Sequence, residues 1–278
     1  MAHFDSPLLD NPIWNALTTD HAGLAQGDDQ ARRYPSEIGP LSGIPHQSEA
    51  SYASLSRLAG EYPVVLFSLD PIRTPQGWIT LRTGEVVQMV RNETSRAPSS
   101  AIEGAPSYAT ASSSRRVGDD STSLPGAPEP ALSLPKGLSP LETWDGSRDS
   151  HSLRQLTPAE APAMVALAEL TEPGPFRLRT IELGNFYGIF HGNRLVSMAG
   201  KRMHIPGFVE VSGVCTHPAA RGRGYARTLM QIVIGEIEQS GRTPFLHAWA
   251  DNPAVHLYQA LGFSLTRRFD LAVLKLAV

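Results

Sequence analysis

Cysteine is nearly absent from this 278-residue chain: Cys215 is the only one. An intramolecular disulfide framework is thereby excluded. With no Cys/His spacing of the zinc type, no structural or catalytic metal is expected. Long apolar runs are also missing, and none approaches the length needed to cross a bilayer. The opening MAHFDSPLLDNP lacks the charged-then-apolar order of a secretory signal, so no membrane association and a cytoplasmic location are expected. Basic residues are not in excess: 24 Lys and Arg against 27 Asp and Glu give a formal charge of −3. A protein devoted to nucleic acid is disfavoured by that balance, and the single RGRG unit at 221–224 does not reverse it. The oligomeric state is not legible.

Hydrophobic residues make up 41% of the chain, enough for a core of one large or two small domains. Residues 93–140 are dominated by Ser, Pro, Ala and Gly with no sustained period. They read as a flexible linker, because such a composition does not bury enough apolar surface to offset its ordering entropy. The Arg115-Arg116 pair inside it is either a docking element or two solvated charges. The expected organisation is an N-terminal α/β half (1–92), the linker (93–140) and a C-terminal domain (150–278).

Within the first half, Asn11-Pro12 reads as a cap with proline at the first helical position, and Ile13, Leu17 and Leu24 fit one helix face. SYASLSRLAG repeats the pattern and stops at Gly60. PVVLFS is a buried-strand candidate, and WITL with EVVQMV around Thr83-Gly84 reads as a hairpin. No phosphate loop, metal cluster or nucleophile arrangement is present there, so this half is expected to be structural.

Signals sharpen after the linker. Thr157-Pro158-Ala159-Glu160 is a capping box that opens a helix to about Leu170. NFYGIFH, a turn at Gly192-Asn193 and RLVSMAGKRMHI predict an antiparallel hairpin, and FVEVSGVCT predicts the next strand. Ala226, Leu229, Met230, Val233 and Ile237 mark a helix closed by Gly241. TPFLHAWAD is a strand, PAVHLYQALG a short helix, and FSLTRRFDLAVLKLAV one or two strands.

Between strand and helix lies CTHPAARGRGYARTLM. A strand, a glycine-bearing turn and a helix N-terminus together form an anion site, since unpaired amides and the positive end of the helix dipole converge there. Gly222 and Gly224 are expected to remove Cβ atoms that would block a phosphate. Neither G-x-x-x-x-G-K-[ST] nor a G-x-G-x-x-G opening a βαβ unit is present; the pattern is Arg221-x-x-Gly224-x-Ala226.

That pattern, following Thr216-His217-Pro218, resembles the coenzyme A pyrophosphate loop of the GNAT superfamily of acetyltransferases. ADNPAVHLYQALGF resembles a second GNAT segment, ending in L-Y-x-x-L-G-F. The resemblance covers about residues 155–278, and residues 1–92 resemble the degenerate N-terminal partner of two-part GNAT proteins. It implies an α/β (α+β) fold with a central mixed, mostly antiparallel sheet flanked by helices. It also implies that Arg221, Gly222, Arg223, Gly224, Tyr225, Ala226 and Arg227 hold the pyrophosphate, while Val214, Cys215 and Thr216 pair their backbone with the pantetheine arm. Asn252 either caps the following helix or bonds that arm. Cys215 itself also reads as a buried small hydrophobe.

By the same resemblance Tyr258 is the general acid that protonates the leaving sulfur; its alternative is packing. For the base the resemblance points to Glu210, whose alternative is a solvated or ion-paired strand residue; Glu182 and His247 are runners-up because both sit where strands could face an acceptor, a packed, hydrogen-bonded residue being the alternative for His247. The implied function is an acetyl-CoA-dependent N-acetyltransferase acting on a small-molecule or peptide amine, with acetyl-CoA as co-substrate. A non-catalytic acyl-CoA-binding regulatory module is the rival reading.

Overall fold

Proline opens the first helix. Pro12 lacks the amide that a helix start leaves unpaired, so α1 (Pro12–Thr18) begins there. The Asn11 side chain does not cap it: Nδ2 donates instead to the Ile44 carbonyl (2.8 Å), tying the helix start to the chain 33 residues on. The computed structural model describes residues 6–92 and 151–277. The linker expected at 93–140 therefore lies outside the described residues, Arg115-Arg116 included.

After α1, three two-residue strands, β1 (Gln26–Gly27), β2 (Arg32–Arg33) and β3 (Ser42–Gly43), form a small antiparallel sheet. Helix α2 (Glu49–Ala59) is capped by Ser48, whose Oγ accepts from the Ser51 amide (3.2 Å), and stops at Gly60, where φ is 55°. Strands β4 (Val64–Ser68) and β5 (Trp78–Arg91) complete the first segment.

The second segment begins with β6 (His151–Gln155), a strand that the sequence reading did not find; its side chains are largely exposed and lack a strong apolar alternation. The capping box forms as expected: Glu160 Oε2 accepts from the Thr157 amide and hydroxyl (both 2.7 Å), and α3 (Ala161–Thr171) follows a 3₁₀ turn. Then come β7 (Phe186–His191), β8 (Arg194–Ile205), β9 (Phe208–Thr216), α4 (Tyr225–Gln239), β10 (Thr243–Trp249), α5 (Val255–Ala260) and β11 (Phe263–Leu276).

Eight strands form one mixed sheet in the order β4-β11-β5-β10-β9-β8-β7-β6, antiparallel throughout except for β9 and β10. The α/β pattern read in the first 92 residues is present, but its long strands complete this common sheet. Strand β5 lies between β10 and β11, paired along both edges. The two segments form one compact unit.

One expectation fails inside β5. Thr83-Gly84 is no turn; the strand runs straight through it. A Cβ at Gly84 would lie 2.7 Å from Trp249 Cζ3, so the glycine admits an aromatic ring from a neighbouring strand. Periodicity along a single chain does not reveal that approach.

The helices bury their stripes on the sheet. In α4, Leu229, Met230 and Val233 have no exposure, and each side chain of this kind contributes about 1.5–3 kcal/mol on burial. Strand β8 is buried at nearly every position from Leu195 to Ile205, as a strand covered on both faces must be. Helix α1 joins Met203, Ile205, Phe245 and Phe269 in one core cluster, and α3 joins Phe186, Met198 and Cys215 in another.

Candidate active site

The parallel pair β9/β10 is short. It is in register over Phe208–Glu210 against Thr243–Phe245, and no further pairing between the two strands follows. Beyond it, β9 stays with β8 through Val211, Ser212, Cys215 and Thr216, while β10 stays with β5 through Trp249. Their facing edges part and leave backbone groups without a strand partner. A cavity of about 100 Å³ occupies the opening, lined by Val211–Val214, Leu246–Trp249, Asn252 and Tyr258.

A bulge shapes the β9 side. Ser212 pairs with Gly200 and Cys215 with Met198, so β9 carries one residue more than β8, and Gly213 takes it up at φ 62°. A non-glycine residue there would be strained, and its Cβ would lie 2.9 Å from Phe186 Cε1.

Past Thr216 a 3₁₀ turn (Pro218–Ala220) leads to the glycine loop, and the loop ends at the start of α4. Gly222 and Gly224 both have φ 77°, Gly224 being the residue that caps the helix. A Cβ on either would touch nothing within 4 Å. Their necessity in the protein alone is therefore conformational: the loop turns through the left-handed region twice, which glycine adopts without steric penalty. The amides of Tyr225, Ala226 and Arg227, the first three of α4, find no acceptor among the described residues. Arg221, Arg223 and Arg227 are exposed beside them, and Tyr225 Oη lies 2.9 Å from His191 Nε2.

Tyr258 is buried on α5 and lines the cavity; burial pushes its phenol up to about 12, so it remains protonated at neutral pH. Asn252 Oδ1 accepts from the Ala254 amide (2.9 Å), shaping the turn before α5. Cys215 is buried in the core, burial raises its thiol to about 11, and its carbonyl accepts from Ser197 Oγ (3.0 Å). Its side chain is thus a packing group, whatever its backbone does. Ser197 Oγ also lies 2.8 Å from Thr216 Oγ1.

Glu210 does not present a base to this cavity. Its side chain has no exposure, its two oxygens take both Arg202 Nε and Nη2 (2.7 Å each), and Oε1 takes His247 Nδ1 as well (2.8 Å). Burial alone would push the carboxyl up. The Arg202 charge and the hydrogen bonds from Arg202 and His247 outweigh it and hold the group at about 2. His247 is equally committed. Nδ1 meets Glu210, Nε2 lies 3.2 Å from the Gln88 amide nitrogen, and Phe67, Phe245 and Phe269 surround the ring. Burial lowers its pKa. Glu182 sits in a 3₁₀ turn, bonded to Arg179 (2.6 and 2.8 Å), and lines neither this cavity nor its neighbour.

The neighbouring cavity, about 480 Å³, shares Phe67, Glu172, Arg202 and Trp249 with the first. Several of its lining residues carry no site signal in the sequence: Phe67 and Arg82 from the N-terminal segment, Glu172 just after α3, and Trp249 at the end of β10. The only available signal was the TEPGP turn sequence at 171–175.

A parted parallel strand pair leading into a left-handed glycine loop and a helix N-terminus defines a class: the GNAT acyltransferase fold. The fold is that of the GNAT superfamily of acetyltransferases, and residues 186–270, from β7 into β11, match the model of the FR47-like protein family. A solved structure assigned to the GNAT acetyltransferase family from Novosphingobium aromaticivorans is 28% identical, with TM-score 0.72 over 98% of this chain and 100% of that one. A GCN5-related N-acetyltransferase from Kribbella flavida shares the fold at 11% identity, with TM-score 0.51 over 94% and 95% of the two chains. A search of curated proteins gives no match.

Proposed function

We propose that the protein is an acetyl-CoA-dependent N-acetyltransferase that passes an acetyl group to a primary amine by direct attack in a ternary complex. The observation that carries this reading is the parting of β9 from β10 beside the α4 N-terminus, with the Tyr258 phenol lining the opening. The residues fit the co-substrate. A pantetheine arm is an extended chain of amides, and the unpartnered edge at Val214–Thr216 is suited to receive it. The pyrophosphate suits the amides from Gly222 to Arg227, where the helix dipole is positive and no described residue stands above the glycines. Arg221, Arg223 and Arg227 add charge, and the Asn252 side-chain amide nitrogen is a further donor at the cavity wall.

Bound there, acetyl-CoA supplies the acyl thioester. The unpaired β9 edge offers backbone amides to the negative charge that develops on the carbonyl oxygen. As the amine nitrogen bonds to the acyl carbon and the carbon–sulfur bond breaks, Tyr258, protonated because it is buried, gives its proton to the departing sulfur; the proton shed by the acylated nitrogen passes to water, and the phenolate is reprotonated from solvent. Arg202, Glu210 and His247 form a hydrogen-bonded cluster at the last residues that β9 and β10 pair, next to where the two strands part.

Thermal denaturation with millimolar acetyl-CoA, followed by thiol release with a panel of amines, tests the reading. A raised melting temperature and amine-dependent thiol release are expected. A shift without turnover of any amine would favour the non-catalytic module, and no shift would remove the site itself.

A further inference from the structure

The larger cavity carries opposite charges on an aromatic body, and that combination selects an acceptor. Its wall is apolar and aromatic, with Phe67, Phe176 and Trp249. Among the lining groups, the Arg202 charge is already neutralised by Glu210 through two 2.7 Å bonds. Arg82 is different. Its guanidinium is held over the Trp249 ring at 4.3 Å, it is exposed, and among the described residues no carboxylate pairs with it. A cation fixed by stacking keeps its in-plane donors available for a bidentate contact with a carboxylate.

Glu172 carries the complementary charge. It is exposed, lines both cavities, and among the described residues its carboxylate has neither an ion pair nor a hydrogen bond. Its backbone is left-handed (φ 48°), the only non-glycine residue among those described with a positive φ. Glu169 lines the larger cavity alone, so Glu172 is the acidic group that also borders the cavity holding Tyr258.

We propose that this cavity takes a zwitterionic acceptor with an apolar side chain, of the amino-acid class. The ammonium lies at Glu172, beside the Tyr258 cavity, the carboxylate lies at Arg82, and the side chain lies against the aromatic wall. A volume of about 480 Å³ is in the range of small-molecule pockets. The assignment rests on the acetyltransferase reading, which it deepens by naming the substrate class.

Calorimetric titration of the full chain, saturated with coenzyme A, separates the two. The probes are apolar L-amino acids, each paired with its decarboxylated amine: phenylalanine with phenethylamine, leucine with isoamylamine. The acid should bind about tenfold more tightly or better, since hydrogen bonds to a charged group commonly discriminate by that much. Arg82→Gln should erase the preference by weakening the acid alone, and Arg82→Lys should restore it in part; Glu172→Gln should weaken both members of each pair. Amines binding as well as their acids, or binding by neither member, would overturn the assignment. Failure of coenzyme A itself to bind would instead overturn the acetyltransferase reading.

Discussion

At the scale of single residues, the side chains divide into those that face the cavities and those committed to one another. Tyr258 faces the cavity, and Tyr258→Phe should lower turnover by about 10²–10⁴-fold while acetyl-CoA affinity changes little, because the lost proton matters chiefly in the transition state. Steady-state kinetics beside a cofactor titration measures this; unchanged turnover would return Tyr258 to packing. The committed histidines set an acid limit. His21 is buried, with Nδ1 2.8 Å from Tyr34 Oη, and burial, followed by the neighbouring His204 charge, lowers its pKa from 6.5 to about 4. The folded state therefore keeps it neutral while the unfolded chain takes up a proton. Its contribution is complete above pH 6.5 and is lost as pH falls towards 4, amounting to roughly 3 kcal/mol. His247 and His204 shift in the same direction. The urea midpoint should thus fall between about pH 7 and pH 5; a flat profile would contradict it. The depressed Glu210 carboxyl acts in a separate window, below about pH 4.5.

At the scale of elements, the loop before α4 is fixed by two glycines at φ 77°, and substitution there strains the backbone before any ligand arrives. Gly224→Val should abolish the acetyl-CoA-induced rise in melting temperature and lower the melting temperature of the protein alone, since a left-handed residue other than glycine costs about 1–2 kcal/mol. A variant that melts normally and still responds to acetyl-CoA would refute the account of the loop. The β5 strand makes the opposite point about glycine. Gly84 reads as a turn in the sequence but lies in mid-strand, because Trp249 occupies the space a side chain would need.

At the scale of the whole molecule, residues 6–92 and 151–277 share one sheet, and β5 is held on one edge by β10 and on the other by β11. A specific protease site inserted between residues 98 and 132 should, on cleavage, give two fragments that elute together and keep the acetyl-CoA response. The pairing that joins them lies away from the cut, and removing β5 would expose two strand edges. Fragments that separate under native conditions would show that this sheet does not hold the chain together.

The sequence alone determined the elements with strong local chemistry. The Thr157/Glu160 capping box, the hairpin at Gly192-Asn193, the α4 stripe and the glycine loop are all written within a few residues, because caps, turns and helical faces depend on near neighbours. The short helix α5, which carries Tyr258, and the turn that Asn252 shapes before it were legible for the same reason. Tertiary structure decided the rest. Whether Glu210 is a base or half of a buried ion pair depends on Arg202 and His247, the latter 37 residues away. The larger cavity draws Arg82 against Trp249 and sets Glu172 beside both, from three separate parts of the chain. Such groups acquire their chemistry from partners that only strand pairing brings within reach, and no local pattern encodes that pairing.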